Sequence, residues 1–367
     1  MSTLTDNNTA VLDKPVSELD LANNHLDAAH LDFHAPSVEE HGVRLETTGT
    51  NAVVSRATTD GADVASKLAR DAAERELTKA RTKRMVPDFV RFGLKTPKFM
   101  IGFSIIMLLA IWAIIGPYLA PFGPTERVPG ATMLPPNATH WFGTTMQGQD
   151  IFSQFSHGLR SSFIVGFIGA TISTLLGIAI GLFAGFRGGL VDDVLNALTN
   201  IMLVIPGFVV LVLINAYMSI ANLVTQALFI GFFSWPWVAR AVRSNTLSLR
   251  AREFVDLARI SGSSTWSIIR REVVPNMASY LFMCFVLLFG GAILAAAGLD
   301  FLGIGPQHRT FMSLGLMMNQ AMQWSALALQ LWWWFLVPGA AITAIVGSLH
   351  VLNAGLDEGF NPKLREK

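Results

Sequence analysis

Residues 194–239 read VLNALTNIMLVIPGFVVLVLINAYMSIANLVTQALFIGFFSWPWVA, 46 positions without one Asp, Glu, Lys or Arg. A helix crosses the hydrocarbon core of a bilayer with about 20 apolar residues, so this stretch is long enough for two crossings. The run from Asn215 to Asn222, with Tyr217 and Ser219 inside it, predicts the turn between them. Pro206-Gly207 and Pro236 predict kinks within them, as Pro338 does further on. Outward lie four more uncharged runs: Phe99–Leu119, Ser161–Phe186, Met277–Leu299 and Leu327–Gly355. The sum is six spans and an all-α polytopic membrane fold.

Composition agrees. The chain has 367 residues, 51% apolar and 14% charged, against about 25% charged in a soluble domain. Residues 1–98 hold 28 of the 53 charged side chains; the 269 positions from 99 onward hold only 25. This is a polar tail fused to a membrane-embedded body. The net charge of +1 argues against a nucleic-acid binder. A single cysteine, Cys284, excludes a disulfide framework and a Cys-based zinc site.

The tail divides in two. Residues 1–60 carry ten acids and three basic residues with no sustained periodicity, the pattern of disorder. Met1–Asn8 has no basic start followed by an apolar core, so no secretory signal is expected. His25, His30, His34 and His41 match no metal-ligand spacing and read as solvated side chains. Ala62–Arg84 predicts a polar helix, and Arg81, Lys83, Arg84, Arg91, Lys95 and Lys98 form a basic anchor before the first span.

Loop charges orient the chain. Seven arginines and no lysine occupy residues 240–276: Arg240, Arg243, Arg250, Arg252, Arg259, Arg270 and Arg271. The C-terminus adds Lys363, Arg365 and Lys367. Six spans with both termini cytoplasmic put every basic cluster inside. Five or seven would strand one terminal cluster outside.

No residue set looks catalytic. The chain lacks a Gly-Lys dipeptide and so a phosphate-binding P-loop; His-Glu-x-x-His and Gly-x-Ser-x-Gly are also missing. The expected catalytic, cofactor and metal sites are therefore none. The uncharged runs leave nothing to couple protons or ions, which counts against a secondary carrier or channel that powers itself. An intramembrane enzyme would need a nucleophile or acid cluster that does not stand out. Asn215, Gln226 and Ser234 read as packing or interfacial residues, and no substrate path is assigned.

Two patterns remain. Gly169, Ser173, Gly177, Gly181 and Gly185 recur every fourth residue, nearly on one helix face, where another helix can approach closely. In the arginine-rich loop, Glu253–Ser261 predicts a short helix, Gly262 breaks it, Ser263 or Ser264 caps a second, and Pro275 stops that one. Phe254, Leu257, Trp266 and Ile269 lie away from the charges. An amphipathic pair of this kind suits a groove in a cytoplasmic partner or the lipid surface.

The run Glu253-Phe254-Val255-Asp256-Leu257-Ala258-Arg259, then Gly262, then Val274-Pro275-Asn276, resembles the EAA loop of ABC-importer permeases. His140-Trp141-Phe142-Gly143-Thr144 with Gly148-Gln149-Asp150 is similar to the HPLGTD…GRD segment of dipeptide and oligopeptide permeases. Gly185–Asp192 resembles their GYYGGWVD turn, and Ala292–Gly305 their AILAEAALSFLGLG segment with Ala296 in place of Glu. Gly355-Leu356-Asp357 and Asn361-Pro362 resemble their GLRDALDP end. Over about residues 85–365 the chain thus looks like the second, C-type permease of the dipeptide/oligopeptide/nickel importer group.

The resemblance implies a type I ABC-importer permease (MetI-like) fold in the bacterial plasma membrane. It implies four partners besides the lipid bilayer: a second homologous permease, two ATP-binding subunits and an extracytoplasmic binding protein. ATP and magnesium would sit on the ATP-binding subunits. Glu253, Asp256, Ala258, Arg259, Gly262, Pro275 and Asn276 would form the ATPase-coupling loop. The cargo would be peptide, with nickel or oligosaccharide as alternatives. The expected segments are a tail at 1–84, a first-span segment at 85–135, an extracytoplasmic loop at 136–160, a permease core at 161–358 holding the coupling loop 253–276, and a cytoplasmic end at 359–367.

Overall fold

The computed structural model describes residues 96–218, 222–306 and 311–360, with no side chain described for 359 and 360. The tail helix, the tail histidines, the basic anchor up to Lys95 and the C-terminal cluster lie outside these residues. All described elements are helical apart from one isolated bridge between Thr144 and Asp150. In chain order they are α1 (Pro97–Leu119), α2 (Ile151–Arg187), α3 (Gly189–Val204), α4 (Gly207–Met218), α5 (Leu223–Arg250), α6 (Glu253–Ile260), α7 (Thr265–Ile268), a π-helical turn (Ile269–Val273), α8 (Val274–Phe301), α9 (Leu314–Gln323) and α10 (Trp332–Phe360).

Four stretches are long and apolar enough to cross a membrane: Pro97–Leu119, Ile151–Arg187, Thr265–Phe301 and Trp332–Glu358. A fifth arises if α3 and α4, bent by 76° at Ile205–Pro206, count as one span. Against the six expected, the remaining long helix is α5, of 28 residues. Gln226, Ser234 and the run Trp235-Pro236-Trp237 dilute its apolar character. Pro206 does more than kink its helix. It breaks it, since Pro disfavours helical backbone in the preceding residue and Ile205 is extended, with ψ 125.

Local signals set the ends. Asp150 caps α2 by accepting hydrogen bonds from Ser153 N (2.8 Å) and Ser153 Oγ (2.7 Å), and its other oxygen lies 2.9 Å from His140 Nδ1. Asn222 caps α5 through Thr225 N. Gly188, at φ +70, closes α2. Asp150→Ala leaves buried partners unsatisfied as well as removing a cap. The expected loss is about 2 kcal/mol, read as a lower midpoint in thermal unfolding of the solubilised protein.

The helices meet along small residues. A Cβ on Gly177 would lie 2.6 Å from Val238 Cβ, one on Gly181 2.6 Å from Ala239 O, and one on Gly185 2.9 Å from Arg243 O. Ser173 Oγ donates to Gly231 O at 2.8 Å, and Gly169 faces Ala292 on α8 and Ala227 and Ile230 on α5. This row therefore lies along the α2–α5 contact, extending to α8 at Gly169. α1 and α10 approach as closely: a Cβ on Gly355 would overlap Phe99 N, and one on Gly102 would lie 2.6 Å from Leu352 N. Lys98, the one member of the basic anchor among the described residues, pairs with Glu358 at 3.0 Å.

Three apolar clusters fill the bundle. The largest joins α1, α2, α8, α9 and α10 around Trp334, Leu159, Ile293 and Ile345. A second, around Val165, Ile230 and Leu299, joins α2, α4, α5 and α8. The third sits at the arginine-rich end and roots residues 253–276 in the bundle.

Candidate functional site

Residues 253–276 form two short helices and a wide turn. α6 ends at a glycine-closed cap: Ser263 N donates to Ala258 O (3.1 Å) and Gly262 N to Arg259 O (3.0 Å), with Gly262 at φ +77. This is a Schellman pattern, and it needs a residue that tolerates left-handed backbone. Ser264 caps α7 by accepting from Ser267 N. α7 then runs through the π-helical turn into α8 without stopping.

Pro275 was expected to end the second helix, and it does not: helix continues from Thr265 to Phe301. Val274 N donates to Ile269 O, five residues back, so the widened turn stands immediately before the proline. Inside a helix a proline removes one backbone hydrogen bond and crowds the turn before it, and the wide turn falls where that demand arises. Asn276 Nδ2 donates to Glu272 O across this junction.

The segment has two faces. Val255 (0% exposed), Ile268, Ile269 and Val273 are buried against Leu182 and Phe186 of α2, Val238 and Val242 of α5, and Met277, Leu281 and Cys284 of α8. Phe254 and Ala258 pack at the edge of this cluster. The other face carries Leu257 (66% exposed), Ile260 (84%) and Trp266 (70%). Arg259 spans the two: its guanidinium lies 5.8 Å from the Phe186 ring and 3.2 Å from Asp256 Oδ1. Glu253 and Asp256 stand in the first turn of α6, where carboxylates favour the helix dipole. Beside the segment, Arg243 makes a two-pronged contact to Asp192 at 2.5 and 2.8 Å, tying α5 to α3. The arrangement is a pedestal: an apolar root in the bundle and an apolar, arginine-flanked crest in the open.

At the opposite end of α8 lies a buried carboxylate, Asp300. Asp300 follows the uncharged run Met277–Leu299, which alone would place it beyond the span, but α8 runs on to Phe301 and contains it. Its side chain is buried (2% exposed), accepting from Gln226 Nε2 of α5 at 2.8 Å and from Ser313 Oγ, the cap of α9, at 2.5 Å. Gly305 presses so closely that a Cβ there would overlap Asp300 Oδ1. Asp300 therefore joins α5, α8 and α9 as a strut. Gln226 had read as packing or interfacial; it is the partner of this carboxylate. Ser234 donates to Ile230 O in its own helix, and Asn215 is buried with its Oδ1 unpartnered among the described residues.

The segment resembling HPLGTD…GRD is a closed turn on which α2 begins. Thr144 Oγ1 accepts from Leu134 N at 2.8 Å, Trp333 Nε1 reaches Thr144 O at 3.4 Å, and His140 stacks on Phe122. Among the described residues, no group of three His, Cys, Asp or Glu side chains is placed to hold a metal ion.

Residues 177–366 match the family model described as "Binding-protein-dependent transport system inner membrane component". Residues 94–136 match "N-terminal TM domain of oligopeptide transport permease C". The dipeptide transport system permease protein DppC of Bacillus subtilis is 32% identical over 266 residues, covering 72% of this chain and 82% of that protein. The oligopeptide transport system permease protein OppC of Mycobacterium bovis is 33% identical over 277 residues, covering 75% and 94%. The glutathione transport system permease protein GsiD of Pectobacterium atrosepticum is 30% identical over 269 residues, covering 72% and 86%.

Proposed function

The chain belongs to the family of binding-protein-dependent transport system inner membrane components, in its dipeptide/oligopeptide permease C branch, and from that membership we propose that it is half of the peptide pathway in an ATP-driven importer. It crosses the bacterial plasma membrane six times with both termini in the cytoplasm, α5 being the sixth span. A second permease completes the pathway, and an extracytoplasmic binding protein delivers peptides to the side bearing the Thr144–Asp150 turn.

Two ATP-binding subunits engage the pedestal at residues 253–276. One observation carries this reading: Leu257, Ile260 and Trp266 are bare while Val255, Ile268 and Val273 are rooted in the bundle. A crest exposed in the monomer and rigidly rooted below can receive a push from a partner groove and pass it to α2, α5 and α8. ATP and magnesium remain on the partner subunits; this chain moves and does not catalyse. Residues 1–84 form a cytoplasmic extension outside the permease core.

The test is uptake by the complete complex in proteoliposomes. Labelled dipeptide or oligopeptide should enter only with ATP and binding protein, and unlabelled peptides should compete. Competition by nickel or oligosaccharide, with none by peptides, would contradict the peptide assignment.

Gly262 tests the coupling. A Cβ there meets nothing within 4 Å, so space is not the constraint; the left-handed backbone is. Gly262→Val is expected to strain the cap by roughly 2 kcal/mol and to lower peptide uptake per ATP hydrolysed severalfold. Gly262→Asn, tolerated in this conformation, should stay near wild type. Equal uptake by all three would remove the cap from the coupling path.

A further inference from the structure

An apolar groove of about 1120 Å³ runs along the last turns of α2 to the root of α7. Its walls include Leu175, Ile178, Phe183, Phe186, Leu195 and Ile269. Both Leu175 and Phe183 are exposed, so the groove opens sideways from the bundle.

Its end is cationic. Arg187 and Arg259 line it, each guanidinium held over a wall aromatic: Arg187 at 5.6 Å from the Phe183 ring, Arg259 at 5.8 Å from Phe186. Arg250 is not a wall residue: its Nη1 lies 3.0 Å from where a Cβ on Gly188 would lie, and its charge acts on Asp192. Of the acids nearby, Asp192 pairs with Arg243 and also faces Arg250, Asp193 acts on Arg243, and Asp256 meets Arg259 through an exposed contact that is weak in water. No carboxylate lies within 4 Å of Arg187 among the described residues.

The dimensions fit one molecule type. From Leu175 to Arg187 the helix rises about 18 Å, and one leaflet of hydrocarbon is about 15 Å deep. Apolar walls one leaflet long, ending in arginines at the polar boundary, match an acyl chain with an anionic headgroup. We infer that the groove between α2 and the coupling helix binds an anionic phospholipid, its phosphate held by Arg187 and Arg259. The lipid's chain packs against Ile269 and so braces the pedestal from the side. This rests on the cytoplasmic placement of residues 240–276 proposed above.

The experiment uses the complete complex in nanodiscs of phosphatidylcholine containing graded phosphatidylglycerol, with retained lipid read by native mass spectrometry. Phosphatidylglycerol should be retained in preference to phosphatidylcholine. Arg187→Gln should lower that retention severalfold, while Arg240→Gln, which removes a charge whose partner is Asn200 on α3, should not. Soluble glycerophosphoglycerol should fail to displace the lipid, because it lacks the chains. Equal retention of both lipids, insensitivity to Arg187→Gln, or displacement by the soluble headgroup would each overturn the inference. So would loss of the lipid on assembly, which would make the second permease the groove's occupant. Retention is read by mass without transport, so normal ATP-coupled uptake with no bound lipid would refute this inference alone. Retained lipid with no coupling would refute only the transport reading.

Discussion

Gly181→Leu should prevent α2 and α5 from closing on each other. The first atom of any side chain at 181 would lie 2.6 Å from Ala239 O and 2.8 Å from Val242 Cβ. The oxygen belongs to the backbone of an intact helix and cannot swing aside. The helices must separate, and separation empties the neighbouring contacts at Gly177 and Gly185 as well. Overpacking of a well-filled interior costs about 1–3 kcal/mol for a few methylenes; a clash against backbone within the α2–α5 contact lies at or above the top of that range. The expected result is aggregation or a sharply lowered midpoint in fluorescence-detected thermal unfolding after solubilisation. Gly339→Ala is the matched control, because a Cβ there meets nothing within 4 Å; it should be neutral or slightly stabilising. A Gly181→Leu protein as stable as wild type would mean that α2 and α5 do not meet along this row.

Asp300→Leu should be nearly as damaging for the opposite reason. The cavity is filled, but Gln226 Nε2 and Ser313 Oγ lose the acceptor they share. A buried donor left without a partner costs about 1–3 kcal/mol, and two are orphaned at once, so a loss of about 3 kcal/mol is expected. Adding Gln226→Leu should restore part of it, since replacing both members of a buried pair by apolar groups is far milder than removing one. The cycle is read from the same unfolding midpoints. If the double substitution falls by the sum of the single ones, Asp300 and Gln226 are not coupled and the strut is misassigned.

These residues also mark how far the chain could be read unaided. Runs without charge located α1, α2, α8 and α10, because exclusion of charge from hydrocarbon is a property of composition and needs no neighbours. The pedestal was legible for a related reason: Gly262, Ser264 and the acids of α6 act within a few residues of themselves. What stayed hidden depended on distant groups. Asp300 ended an uncharged run and so looked like a loop residue, although Gly303, the glycine that closes α8 at φ +75, stands three positions later. Its partners lie 74 residues away in one direction and 13 in the other. Pro275 looked like a stop because the wide turn that precedes it leaves no mark in the sequence. Pro206 announced a disturbance, but whether a proline bends a helix or splits it by 76° is settled by what the two halves pack against.

The crest of the pedestal is the place where the energy of a partner is proposed to enter. Ile260, at its tip, is the most exposed large apolar side chain of the segment, and the single native cysteine, Cys284, is buried and silent. Ile260→Cys in the complete complex, treated with a short thiol-reactive cross-linker in membranes, puts the claim to direct trial. A covalent adduct between this chain and an ATP-binding subunit is the predicted result. Labelling of that cysteine by a membrane-impermeant reagent applied from the extracytoplasmic side, with no adduct, would contradict it.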